Sequence, residues 1–112
     1  MIAEMDPIVR EKYEFVPQAI LKRSPAFFAN QGIKFRSGVD DLNVFQVAEL
    51  SLDDVPFALM RHEGTPLDET QVYLPDVIPI GRLPEIINRI LAALDLSAAA
   101  LAWRRERTDT PF

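Results

Sequence analysis

A chain of 112 residues with 48% apolar and 9% aromatic residues is long enough to close one hydrophobic core without metal or disulfide support. It has no cysteine, which excludes disulfides, thiolate catalysis and cysteine-based zinc sites. The net charge of −5 is unevenly spread: residues 38–82 hold two Lys/Arg against nine Asp/Glu, so a surface built from them is a poor match for nucleic-acid phosphates.

One domain over residues 1–112 is expected, with 1–6 and 108–112 as mobile tails. No stretch approaches the roughly 18 consecutive apolar residues that a spanning helix needs. Residues 1–6 show no basic and apolar secretory pattern, so a cytoplasmic location is expected.

In chain order, Asp6-Pro7 is a helix-start signal, because Asp can cap free amides and Pro fits the first turn. The reading gives short N-terminal helices over 7–13 and 17–22, then a third opened by Ser24-Pro25 and closed near Gly32. Phe27 and Phe28 belong to the core. Ile33 and Phe35 alternate with polar neighbours and predict a strand over 33–37, followed by a turn cluster, SGVDDLN.

Strands over 44–52 and 57–62 pair if Asp53-Asp54 form a two-residue turn, although Asp-Asp is not the preferred pair and a longer loop is the alternative. That register sets Leu50, Phe57, Ala48, Leu59, Gln46 and Arg61 on one face and Phe45, His62, Val47, Met60, Glu49 and Ala58 on the other. A fourth strand over 70–74 places Tyr73 opposite in facing to Val72 and Leu74. From Pro84 the period becomes helical, with Ile86, Ile87, Ile90, Leu91 and Leu94 on one stripe and Glu85 and Arg89 able to pair outside it. Ser97 can cap a further helix, giving a C-terminal hairpin over 84–95 and 97–107, or one bent helix. The expected fold is therefore α+β: a small antiparallel sheet of three or four strands, short N-terminal helices and a C-terminal helical hairpin.

Residues 90–105 resemble in outline the first two helices of a helix-turn-helix, over about a seventh of the chain. That resemblance implies a DNA reader, in which Arg104, Arg105 and Arg107 would meet phosphate. A second helix made mostly of alanine offers no side chains for base edges, so the segment is read as a hairpin packed on the sheet.

His62 is the only histidine and could act as an acid or base, but no serine lies near it in the assumed pairing. The acidic pairs Asp40-Asp41, Asp53-Asp54 and Asp68-Glu69 fall in predicted turns without EF-hand spacing. No catalytic residues, metal ligands or cofactors are assigned, which weighs against an enzyme without excluding one. Both sheet faces carry apolar residues; the helical hairpin covers one of them, and the other is left to the N-terminal helices, a second subunit or a ligand. The expected function is a non-enzymatic interaction or regulatory module that self-associates as a homodimer or binds a protein partner, with Trp103, Arg104 and Arg105 as interface residues. The alternative is a small-molecule-binding protein or small enzyme, with His62, Tyr73, Arg61, Phe45 and Met60 lining a pocket between sheet and helices.

Overall fold

The alternation across residues 44–62 sets the frame of the computed structural model, which describes residues 2–40 and 43–104. Strands β4 (Asn43–Leu52) and β5 (Val55–His62) pair antiparallel in the register expected from the sequence, Leu50 against Phe57 and Phe45 against His62. Asp53 completes the two-residue turn at φ 56°, a left-handed conformation that aspartate tolerates better than most residues. Arg89 Nη2 donates to Asp53 Oδ2 at 2.9 Å, so the helix stripe's outer side fastens this turn rather than pairing with Glu85.

The expected small sheet is overturned. Among the described residues seven strands form one antiparallel sheet: β1 (Ile2–Glu4), β2 (Phe15–Leu21), β3 (Arg36–Asp40), β4, β5, β6 (Thr70–Pro75) and β7 (Leu101–Arg104). Their order is β1-β4-β5-β6-β2-β7, and β3 lies beside β1 along the outer edge of β4. The helices are α1 (Pro7–Lys12), α2 (Pro25–Ala29) and α3 (Leu83–Ala93).

Three further expectations are corrected. The helix expected over 17–22 is β2, an interior strand flanked by β6 and β7, whose apolar residues stand on both sides of the sheet and so carry no clean strand period. Pro17 is tolerated inside the sheet because the register slips between Pro17 and Ala19, where Gln18 is the extra residue. Gln18 is buried there, with no hydrogen-bond partner for Oε1 among the described residues.

Among the described residues the second helix of the C-terminal hairpin is absent. Asp95 turns left-handed at φ 59°, Ser97 Oγ accepts from Ala99 N over one 3-10 turn, and the chain then runs as β7 along β2. Alanine's helix propensity, a few tenths of a kcal/mol per residue against ordinary residues, yields to pairing that covers an otherwise bare strand. The part of that prediction beyond residue 104, and the tail at 108–112, lie outside the described residues. The expected strand over 33–37 is displaced to β3, while Ile33 and Phe35 pack from a loop against the core.

Leu83, Ile86, Ile87, Ile90, Leu91 and Leu94 of the α3 stripe are buried in one cluster with Ala48, Leu50, Phe57, Leu59, Val72, Leu74, Ala19 and Leu21. Phe28 of α2 joins the same cluster, and Gln31 Nε2 donates to Leu94 O at 3.3 Å. Both helices therefore lie on one side of the sheet, its helical face. β1 and β2 flank the β4-β5-β6 meander on opposite sides, so residues 5–14 must cross a face. Arg10 of α1 donates to Glu49 Oε1 at 3.2 Å, and Glu49 points away from Leu50 by strand alternation, so α1 crosses the other side. Asp6 caps α1 as its sequence implies, accepting from Ile8 N at 2.9 Å. No helix among the described residues is long and apolar enough to cross a membrane.

Candidate functional site

The side of the sheet away from α2 and α3 is built from alternate residues of every interior strand. Consecutive pairings align Arg36, Val47, Met60, Gln71, Ile20 and Trp103 in one row across it. Trp103 reaches this row because the β2-β7 register slips between Ile20 and Leu21, which sends Leu101 to the core and Trp103 to the opposite side. α1 crosses at the level of Glu49, and Ala58 and Val47 close to that level are buried.

Beyond α1 the cover ends among the described residues. Phe45, Met60, His62 and Tyr73 are each half-buried and line an open concavity of about 390 Å³ that ends at Val39 on the β3 edge. Met60 is its centre, since it neighbours Val47 on one strand and Gln71 on the next. Phe45 and His62 are cross-strand partners with ring centroids 6.0 Å apart and planes tilted at 50°. The Phe45 ring lies over Gly38 so closely that a Cβ there would sit 2.5 Å from it, which explains a glycine inside a strand. The Tyr73 hydroxyl donates to Gln71 Oε1 at 3.3 Å.

Burial pushes the Tyr73 hydroxyl above its ordinary value of 10.0. An unfolded tyrosine ionises first, so this group's contribution to stability is intact below about pH 10 and is lost as pH climbs toward the folded value. In base-denaturation curves Tyr73→Phe should lose stability less steeply above pH 10 than the native chain. Equal slopes would mean that the ring is not desolvated.

Four of the five residues expected to bind a ligand therefore share one concavity, and the fifth does not. Arg61 points to the helical face, as its place in the alternation requires. There it holds the turn after β5, donating from Nη2 to Thr65 O at 2.9 Å and from Nε to Pro66 O at 3.4 Å. Of the expected interface residues, Trp103 stands in the row just described and is 41% exposed. Arg104 pairs with Ala19 through the register, and Arg105 lies outside the described residues. Val39 and Gly38 had no sequence signal, since both sit in what reads as a turn cluster.

No family model, curated protein or solved structure matches this chain.

A larger cleft, of about 520 Å³, opens where β1 and β3 part along β4. Two of its charged lining residues are paired within the chain: Glu49 Oε1 accepts from Arg36 Nη2 at 3.0 Å, and also from Arg10 Nη1 of α1 at 3.2 Å. Both guanidinium groups are about half exposed, so each pair stabilises by about 0–1 kcal/mol at most. Among the described residues no group of three or more His, Asp or Glu stands close enough to hold a metal ion.

Proposed function

We propose that this chain is a non-catalytic interaction module whose uncovered sheet face docks an apolar segment of a protein partner. The observation that carries the reading is the contrast between two sides of one sheet. One packs its apolar residues under α2 and α3 in a closed core, while the other leaves Phe45, Met60, His62, Tyr73 and Trp103 half-buried or exposed among the described residues. Aromatic residues and methionine are the types enriched where proteins meet, and a methionine at the centre can adapt to varied partners. Cytoplasmic placement belongs to the same proposal.

A displayed peptide library tests it. Peptides selected on the native protein and counter-selected on a Phe45→Ser, Met60→Asp double variant should be enriched in apolar sequences and bind the variant at least tenfold more weakly. Binders that tolerate both changes would remove the support for this face.

The concavity itself favours a second reading. Its volume of about 390 Å³ falls within the usual range for small-molecule sites, about 300–1,000 Å³. A metabolite that raises the melting temperature of the native chain but not of His62→Ala or Tyr73→Phe variants would favour this alternative.

A further inference from the structure

β3 ends the sheet beside β4 with one side unoccupied among the described residues. Which of its backbone groups face out follows from two hydrogen bonds. Glu49 O accepts from Met5 N on the β1 side of β4, and Val44 O accepts from Glu63 N on the β5 side. Odd-numbered residues of β4 therefore bond toward β1 and β3. Their partners Arg36 and Gly38 bond inward, so the N–H and C=O groups of Ser37 and Val39 face outward. Val39 is 73% exposed and its cross-strand neighbour Val44 is 46% exposed. The edge lacks the proline or lysine with which strands are commonly guarded.

We propose that this edge pairs with itself, joining two copies of the chain antiparallel about a two-fold axis at Gly38. The stretch RSGVD is complementary to its own reverse. With Gly38 opposite Gly38, Ser37 faces Val39 of the second copy in two symmetric pairs, and each pair exchanges two backbone hydrogen bonds. The same register sets Arg36 opposite Asp40 of the second copy, opposite charges at both ends. A slip that set Arg36 opposite Arg36 would oppose like charges, so the charges specify the register. Arg36 uses Nε and Nη2 on Glu49, and a guanidinium carries five N–H donors, so the second contact does not require giving up the first. On the helical face Val39 becomes the diagonal neighbour of the other Val39. On the opposite face the Phe45 rings, each seated on its own Gly38, flank the axis and join the two concavities in one strip. This inference deepens the interaction-module reading and rests on it for its purpose, because pairing doubles the docking surface.

Sedimentation velocity over a hundredfold concentration range provides the test. The native chain should be a dimer that dissociates on dilution. Val39→Lys brings two ammonium groups near the axis at an exposed position, and should weaken the dimer at least tenfold while leaving the melting temperature of the dilute monomer unchanged. Ser37→Pro removes an outward N–H and should abolish the dimer, with circular dichroism confirming the fold. A native chain that stays monomeric overturns the proposal, as does a dimer indifferent to Val39→Lys. Neither result touches the docking face, which the peptide selection decides separately: Met60-dependent peptides bound by a strict monomer would refute the pairing alone.

Discussion

Phe28→Ala should cost about 3–5 kcal/mol of folding stability, the range for truncating a fully buried aromatic ring. Phe28 is 0% exposed in the cluster shared by α3 and the inner residues of β5 and β6, and it is the main anchor of α2 to the sheet. Its neighbour Phe27 meets it edge-on at 5.2 Å and is only half-buried, with the Arg23 guanidinium 5.5 Å from its ring centre. Phe27→Ala should therefore cost distinctly less, about 1–2 kcal/mol. Urea titration followed by the single tryptophan, Trp103, would measure both. Equal losses would mean that α2 does not present Phe28 to the sheet as described.

Leu59 and Met60 are adjacent on β5, and the same substitution should have opposite consequences at the two. Leu59 is 0% exposed beneath α3, so Leu59→Asp places a carboxylate where neither water nor a cation can reach it. The cost should be on the order of 4–5 kcal/mol, enough to unfold many small domains. Met60→Asp puts the carboxylate on the half-buried side, where water can hydrate it, and should cost about 1 kcal/mol through lost packing and poor strand preference. The folded Met60→Asp protein should nevertheless lose the apolar peptides selected on the native chain. Thermal melts and peptide binding on the pair thus separate what holds the sheet from what it offers to a partner. A Met60→Asp chain that unfolds like Leu59→Asp would show that this side is covered after all.

The legible parts of the chain were those where one local signal had no rival. Alternation with a short turn gave the β4-β5 register, and a 3.6-residue stripe gave α3. Asp6-Pro7 gave the start of α1. The failures at β2 and β7 share a cause: each of these strands takes its identity from a distant partner. Ile20 and Leu21 are strand residues because residues 70–75 and 101–104 flank them, and Leu101 and Trp103 are strand residues because β2 is there to pair with. Within their own windows a proline and a run of alanines argue otherwise. The candidate site was half legible for a related reason. The register brought Phe45, His62 and Met60 together, but Gly38 makes room for Phe45 only through tertiary contact, and Trp103 joins their side through a bulge that no composition announces.

The strand order also constrains how the chain is made. β2 leaves the ribosome well before its two neighbours, β6 and β7, which are formed by residues 70–75 and 101–104. For most of synthesis it has neither flank, and even after β6 docks one flank stays bare until nearly all of the described chain has emerged. Residues 15–21 and 101–104, far apart in sequence, must meet before the sheet has its full width among the described residues, so a nascent chain interrupted between them carries an unprotected, apolar strand edge rather than a smaller version of the same fold.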